Sequence, residues 1–486
     1  MINPSSRRDL FGKLIAGGIA LNMTPGGAEG QGLGLAGTTG SPGSVSFIPL
    51  FAELADTQLP DMCDLVVTGG YSEPGRGGAS YRRDPQVDRV WVARNPRTAF
   101  VDAAGRGYRL SESSIDVLQT GALGNGTADD APAIQAALDE MERAGGGTVL
   151  LPPGNYRTLS SLRLPPRTGL CGAGPASVLR VERTDGIVVG AADDIGPRRL
   201  ADFMLHGRGC EGFRAIVVDL ASGKRCQGPV FERLFLAFFG TGVASRGLWH
   251  ATFRTVTMHQ IWRGFQFTGQ NVKILIDDCR LTHGGQLRGR GLSIGIQVGD
   301  DSSGARAEDV QVARTMVYGF DKAIVWRSAL FGGVVHCDLD ACGQKGLEMV
   351  TADGGFTFAN NWINVIGPSG RAIDCVPLGY QPEVTNILIA NNNLNGRAAS
   401  RGSCGIAIGN QQADIILDGN SVSAVFETGI SAVGVRRLAL QRNKVARAIV
   451  LQRCNEVVAT QNFAADGLKL DGNIGLDLGT RGGGTQ

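Results

Sequence analysis

The 486-residue sequence predicts an all-β fold, a right-handed single-stranded parallel β-helix of about eleven or more coils with an N-terminal capping helix. Composition supports a solenoid, because 72 glycines and only 6% aromatic residues supply many turns but few anchors for one globular core. A short pattern also recurs: an apolar residue, two residues of any type, an inward residue X, one of any type, and a second apolar residue. Its spacing of 19 to 36 residues fits one coil per repeat with insertions in the turns. The X positions are Phe203, Leu234, Val256, Cys279, Thr315, Cys337, Asn361, Asn392, Asn420, Asn443 and Asn462.

The N-terminus resembles a bacterial twin-arginine export signal. Arg7 and Arg8 precede Leu10-Phe11 and an apolar run over residues 14–23, which is too short to cross a bilayer as a helix. We therefore expect a periplasmic or secreted protein without a membrane span. The predicted division is a signal at 1–28, a Gly/Ser-rich linker at 29–46, a small module at 47–115, the β-helix at 116–475 and a flexible Gly-rich tail at 476–486.

Residues 121–147 predict a turn followed by an amphipathic helix. Asp129 or Asp130 can accept hydrogen bonds from free helix N–H groups, and Pro132 suits the first turn. A glycine triplet ends the helix, and a buried strand follows. The apolar stripe of the helix consists of Ile134, Ala137, Leu138 and Met141.

This run, GALGNGTADDAPAIQ at 121–135, closely resembles the opening of the pectate-lyase-like, or rhamnogalacturonase/epimerase-like, family of the pectin lyase-like superfamily. With the coils, the resemblance covers about residues 121–475. Gly-rich segments at 69–71 and 75–82 resemble a segment that precedes the β-helix in phage tailspikes and related bacterial surface enzymes. The resemblance implies that the helix caps the open end of the coils, that the partner is a polysaccharide, and that the chain is a monomer or a tailspike-like homotrimer.

Two residue types predict structural roles inside the coils. Successive asparagines at X predict a ladder in which each buried amide is satisfied by its neighbours. The ten cysteines lack C-x-x-C metal spacing, so we expect most of them to be small buried hydrophobic residues. Cys210 and Cys226 are the candidate disulfide pair in an oxidising compartment.

Side chains alternate along a strand, so the residues one and three positions after X are predicted to face outward and to stack into two columns. The first column is Met204, Phe235, Thr257, Arg280, Met316, Asp338 and Trp362, and the second is His206, Ala237, His259, Thr282, Tyr318, Asp340 and Asn364. All five histidines lie between residues 206 and 336. The middle coils are therefore predicted to gather polar and charged groups on one wall.

We place the candidate site on this wall. Glycoside hydrolysis needs two carboxylates, whereas β-elimination on a uronic acid needs a base and a cation near the sugar carboxylate. The candidate catalytic residues are Asp277, Asp278, Asp338, Asp340, His283 and Tyr318. The candidate substrate-binding residues are His259, Arg280, Arg314 and His336, with Trp262 and Trp362 as sugar platforms.

The family motifs do not select one reaction. Of the polygalacturonase motifs, only Asp277-Asp278 and the His at 283 have partial counterparts, and this His follows the paired Asp too soon. Tyr318-Gly319-Phe320-Asp321 resembles the start of a mannuronan epimerase motif, but Lys322 and Ala323 stand where Pro and His are expected. We predict an exported polysaccharide hydrolase. The alternatives are a uronate lyase or epimerase, and a non-catalytic glycan-binding or tailspike-like protein.

Other ligands are not expected. The net charge of +2 gives no electrostatic basis for binding nucleic acid. Asp300-Asp301 lies in a predicted loop without fixed ligand geometry, so we predict neither a metal nor a cofactor.

Overall fold

A computed structural model describes residues 44–190, 198–220, 223–284, 291–300, 306–327, 329–350, 352–376, 386–397, 401–409 and 413–479. The predicted signal and most of the predicted linker lie outside these residues. The described residues from Ser44 onward fall within one compact unit. In the described part of the chain, no helix is long and apolar enough to cross a membrane.

The residues before the coils form a small five-stranded sheet, which begins at Ser44, inside the predicted linker. In spatial order its strands are Ser44–Leu50, Cys63–Gly70, Ser80–Arg83, Gly107–Leu110 and Ala99–Val101. The 3-10 helix Phe51–Asp56 and the α-helix Arg89–Arg94 connect them. One hydrophobic core runs from Leu54, in the 3-10 helix beside this sheet, to Ala459 in the coils, so the sheet packs as part of the β-helix body.

Most of the remaining described chain is a 40-stranded parallel sheet wound into coils, which confirms the predicted parallel β-helix. Each coil contributes strands to three faces. The first face comprises Ser114–Asp116, Gly147–Leu151, Thr168–Gly172, Thr252–Arg254, Val272–Asp277, Ala307–Ala313, Ala329–Val335, Ala352–Ala359, Ile387–Ala390, Ala413–Asp418, Arg436–Gln441, Asn455–Thr460 and Ile474–Asp477.

The second face comprises Asn125–Asp129, Gly154–Thr158, Ser177–Glu182, Thr257–Ile261, Arg280–His283, Met316–Tyr318, Asp338–Cys342, Trp362–Val365, Asn393–Gly396, Ser421–Val422, Lys444–Val445 and Phe463–Ala464. The third face comprises Leu162–Leu164, Ile187–Val189, Arg263–Phe267, Ile294–Val298, Lys322–Trp326, Lys345–Met349, Arg371–Cys375, Cys404–Gly409, Thr428–Val433, Ile449–Gln452 and Leu468–Asp471.

A few elements depart from this regular arrangement. Two long strands, Arg199–Asp219 and Val230–Arg246, pass through all three faces. A short extra pair joins Cys226–Gln227 to Leu248–Trp249. The 3-10 helices Val117–Thr120 and Gly174–Ala176 lie in turns near the start of the coils.

A repeated corner separates the first face from the second. The residue before each inward X position has a positive φ, as at Asp278, Arg314 and His336, where φ is 52°, 48° and 56°. This left-handed conformation turns the chain between the two faces. Asn360 and Asn391 occupy the same corner, and asparagine tolerates this conformation better than most residues.

The predicted asparagine ladder is confirmed. Asn392 Nδ2 donates to the Asn420 Oδ1 and to the Phe358 carbonyl, both at 2.9 Å. Asn392 Oδ1 accepts from the Asn361 backbone N–H at 3.0 Å and from Asn361 Nδ2 at 2.9 Å. Asn443 and Asn462 continue the same pattern. The ladder therefore satisfies buried amides from coil to coil.

The predicted amphipathic helix spans Ala131–Arg143 and buries its apolar stripe. Asp130 does not cap it as predicted, because its carboxylate accepts instead from the N–H groups of Leu123 and Gly124. Asp129 accepts from the N–H of Ala131 at 3.2 Å. The role of the whole helix as a cap over the open end of the coils stays a prediction. It is favoured by Gln135, whose side-chain amide accepts a hydrogen bond from the N–H of Arg163 and donates one to its carbonyl, in the third-face strand Leu162–Leu164.

All ten cysteines are buried and free, so the predicted Cys210–Cys226 disulfide is wrong. The Cys210 Sγ contacts the carbonyls of Val181 and Thr184. The Cys226 Sγ instead accepts from Arg198 Nη1 at 2.9 Å. The thiols serve as small core residues, as the sequence predicts for most of them.

Candidate functional site

The strands of the second face form the two outward columns that the sequence predicts. Thr257 pairs with Arg280, Arg280 with Met316, and Met316 with Asp338. The first column continues from Asp338 to Trp362. In the second column, His259 pairs with Thr282, Thr282 with Tyr318, and Tyr318 with Asp340. The predicted register is therefore confirmed, and it gathers six of the twelve candidate residues on one surface.

Asp338 is a partly buried acid on this surface. Its Oδ1 is buried and has no hydrogen-bond partner among the described residues. Burial, followed by the nearby charge of Asp340, raises the pKa of the Asp338 carboxyl above its ordinary value. A carboxyl whose charged form is disfavoured in this way is suited to hold a proton and release it to a leaving group.

Asp340 lies two residues further along the strand, and its environment is different. Its Oδ1 accepts from the Ala341 N–H at 2.6 Å and from Asn364 Nδ2 at 2.8 Å. These bonds fix the orientation of the carboxylate. Two carboxyl groups in contrasting environments on one strand supply the pair that acid–base chemistry on a glycosidic bond requires.

Aromatic rings lie beside both acids. The Tyr318 side chain, beside Asp340, is 44% exposed, and Trp362, beside Asp338, is 36% exposed. Successive coils are about 4.8 Å apart, so the two rings flank the acids from the coils on either side. Exposed Arg280 and His259 extend the surface, and His259 Nδ1 lies 3.1 Å from the Thr282 hydroxyl. We call the surface formed by Arg280, Tyr318, Asp338, Asp340, Trp362 and Asn364 the acid patch.

Three candidate residues lie at the edge of the acid patch. Asp278, Arg314 and His336 occupy the positive-φ corner, two positions before Arg280, Met316 and Asp338. All three are exposed. Asp278 Oδ2 accepts from the Thr255 hydroxyl at 3.1 Å. They border the patch but do not share its columns, because the corner turns the chain between faces.

Asp277 is separated from the patch. It ends the first-face strand Val272–Asp277, is only 5% exposed and forms ion pairs with Arg314 and with Arg254, the latter at 3.7 Å. The predicted catalytic role of Asp277 does not fit this position. A buried carboxylate between two arginines fits a structural ion pair across the coils.

His283 and Trp262 also depart from the predicted wall. His283 pairs with inward-facing Ile261, and its ring lies 5.1 Å from Trp262 and 5.4 Å from Phe320. Trp262 is only 7% exposed, so it offers no open ring face to a sugar. The alternation of side chains changes at Gln260, where φ is 55° and the pairing register shifts.

The third face carries a charged row that is absent from the sequence-based predictions. Lys322, Lys345 and Arg371 stack in one column. Glu348 and Asp374 stack in a neighbouring column and are 5% and 3% exposed. The available signal was the repeated spacing of a cation and a carboxylate in Lys-x-x-Glu at 345–348 and Arg-x-x-Asp at 371–374.

Among the described residues, no group of three or more His, Cys, Asp or Glu side chains is arranged to hold a metal ion.

Comparison with known proteins supports the family resemblance at the start of the coils. Residues 114–198 match the family described as rhamnogalacturonase A/epimerase, pectate lyase-like, which confirms the resemblance over that segment. The tail spike protein of Shigella phage Sf6 is 28% identical over 268 residues, covering 52% of this chain and 43% of the phage protein. Mannuronan C5-epimerase AlgE6 of Azotobacter vinelandii is 36% identical over 118 residues, covering 22% of this chain and 13% of the epimerase. The chain thus matches less than half the length of either relative.

Among solved structures, the gp42 tailspike of Acinetobacter phage vb_AbaP_AS12 shares the fold, with a TM-score of 0.53 and 11% identity. The match covers 90% of this chain and 75% of the tailspike.

Proposed function

We propose that the chain acts on a polysaccharide and hydrolyses its glycosidic bonds at the acid patch. The observation that carries this proposal is the placement of Asp338 and Asp340 on one strand of the second face, between the exposed rings of Tyr318 and Trp362. A sugar chain that runs along the coils would stack on the rings and bring one glycosidic bond to the two acids.

In this proposal Asp338 is the general acid, and Asp340 is the base that activates water. Alternate residues of a strand are about 7 Å apart, and their side chains point to the same side. Carboxyl groups separated by roughly 6.5–9.5 Å leave room for a water molecule and favour inversion at the anomeric carbon, whereas retaining enzymes hold them about 5–5.5 Å apart. We therefore propose an inverting hydrolase.

A uronate lyase or epimerase is the second candidate. It is favoured by the Tyr318 hydroxyl and the Arg280 guanidinium, which lie on adjacent strands of the same face. The tyrosine would act as the base near the acidic sugar carbon, and the arginine would bind the sugar carboxylate. The epimerase relative also supports this candidate.

The test is incubation of the purified protein with a panel of bacterial and plant polysaccharides, with two readouts. Hydrolysis predicts new reducing ends without near-ultraviolet absorbance, and proton NMR of the first product should show the inverted anomer. Unsaturated, ultraviolet-absorbing products would instead identify a lyase. An intact polymer whose proton NMR spectrum shows inverted uronate residues would identify an epimerase. Binding without any of these changes would contradict all three reactions and favour a glycan-binding protein.

We also propose an exported protein that meets its polymer outside the cytoplasm. The paired arginines at 7–8 and the tailspike relative support this location. A tailspike-like homotrimer and a monomer predict threefold different masses, which light scattering on the purified protein distinguishes.

A further inference from the structure

The charged row of the third face ends at a cavity. In the column formed by Lys322, Lys345 and Arg371, the next two residues are Cys404 and Thr428. In the neighbouring column, Glu348 and Asp374 are followed by Ala407 and Ser431. Because short side chains replace long ones, a hollow of about 330 Å³ opens beside Arg371. We call this hollow the third-face trough.

The charges beside the trough do not balance internally. Lys322 Nζ lies 2.6 Å from Glu348, Lys345 contacts both Glu348 and Asp374, and Arg371 Nη1 lies 3.0 Å from Asp374. Among the described residues of this row, three cations therefore share two carboxylates. Burial alone would raise the pKa of Glu348, but the hydrogen bonds from Lys322 and Lys345 outweigh it and lower this pKa, so the carboxylate stays charged.

The surplus positive charge lies at the trough. Arg371 is the last cation of the row, its side chain is 38% exposed and it lines the cavity. One further acid, Glu427, lies near the rim. It is exposed to solvent and its Oε2 accepts from the Gly402 N–H at 2.5 Å. Solvent screens this exposed charge more strongly than the buried ones.

The rest of the lining combines hydroxyl and apolar groups. Ser403, Thr428 and Ser431 contribute hydroxyls, and Val376 and Ile408 contribute apolar surface. A cavity of this size with a few convergent polar groups is typical of a small-molecule site. The surplus positive charge at Arg371 and several hydroxyls complement a ligand that carries one carboxylate and hydroxyl groups of its own.

We propose that the third-face trough binds a small hydroxylated carboxylate, with Arg371 as the carboxylate-binding residue and Ser403, Thr428 and Ser431 contacting its hydroxyls. The ligand is either a free sugar acid or an acidic residue of a glycan, since both present the same groups. This site is on a different face from the acid patch and goes beyond the proposed hydrolysis.

The test is calorimetric titration of the full chain at low salt with D-galacturonate and its neutral counterpart D-galactose. We expect saturable binding of galacturonate and at least about tenfold weaker binding of galactose, because charge-assisted hydrogen bonds contribute most of the affinity. A galacturonate trimer compares an acid residue within a glycan with the free acid. Equal affinity for galacturonate and galactose, or no saturable binding of galacturonate, would overturn the proposal.

Four variants locate the site. Arg371→Met should weaken galacturonate binding about tenfold or more, and the control Arg453→Met, at an exposed arginine outside the trough, should leave it unchanged. Ser431→Leu fills the hollow without altering any charge and should also abolish binding. Glu427→Gln removes the negative charge at the rim and should strengthen binding.

The variants also keep the test independent of folding and of catalysis. Ser431→Leu reports on the trough even if Arg371→Met disturbs the ion pairs. Unchanged affinity in both variants would show that the anion binds elsewhere. Asp338→Asn should bind galacturonate as tightly as the wild type, so loss of hydrolysis and loss of this site are separately visible.

Discussion

Asp338→Asn tests the chemistry of the acid patch with little change of shape. The substitution keeps the size of the side chain and removes the proton that the carboxyl would donate. Asp338 Oδ1 is buried without a hydrogen-bond partner among the described residues, and burial raises the pKa of this carboxyl. The change removes no ion pair or ladder bond with another described residue, so it acts mainly on proton transfer.

The expected loss of activity is large. General acid catalysis contributes about 10²–10⁴-fold to a rate, which corresponds to roughly 3–5 kcal/mol of activation free energy. We therefore expect the rate of reducing-end release by Asp338→Asn to fall by at least about 100-fold. Because the acid form must be present, wild-type activity should decline as the pH rises through the raised pKa of Asp338.

The substitution should lower activity, but it should not lower stability. The pKa of Asp338 is higher in the folded state than in the unfolded state, so the folded state binds the proton more tightly. The wild type therefore loses stability as the pH rises above the unfolded pKa of about 4, and the loss is complete above the folded pKa. Asp338→Asn lacks this charge, so at pH 7 it should unfold at the same temperature as the wild type or at a higher one. Below pH about 4 it should be no more stable than the wild type.

The assay combines reducing-end release with thermal unfolding across this pH range. Asp471→Asn, at an exposed acid of the last coil, is the matched control and should change neither activity nor the midpoint of unfolding. Full activity in Asp338→Asn would refute the assignment of the general acid. Loss of activity with a much lower unfolding temperature would show that Asp338 is structural.

Three further predictions address the ladder, the sugar platform and the cap. Asn392→Ala removes four buried hydrogen bonds and should lower the free energy of unfolding by roughly 4 kcal/mol, about 1 kcal/mol for each bond, in denaturant titrations. Asn462→Ala, at the half-buried last step of the ladder, should cost clearly less, and equal costs would contradict the ladder. Trp362→Ala should weaken binding of the selected polysaccharide about tenfold in affinity electrophoresis, whereas unchanged mobility would exclude a platform. Gln135→Ala frees the N–H and carbonyl of Arg163 and should speed hydrogen exchange there; unchanged exchange would argue against capping.

The sequence predicts the coils and the second face well because one geometric rule governs both. Each coil returns a residue to the same inward position, so the spacing of Asn361, Asn392 and Asn420 sets the register, even where loops differ in length. From that register, alternation along a strand is sufficient to align Asp338 with Trp362 and Tyr318 with Asp340.

The errors occur where alternation stops. Asp277 and Asp278 are neighbours in the sequence, but the left-handed residue at 278 turns the chain, and Asp277 remains on the first face. Gln260 changes the register again before Trp262. Arg and Gln give little indication of a positive φ, whereas Asp278, Asn360 and Asn391 at the first corner were usable signals.

The most direct test of the acid patch is a crystal structure of Asp338→Asn with an oligosaccharide of the polysaccharide that the wild type cleaves. We expect sugar rings along the second face, stacked on Tyr318 and Trp362, with a glycosidic oxygen within hydrogen-bonding distance of the side chain at position 338. An oligosaccharide bound along the first or third face, with the second face empty, would contradict the proposed site.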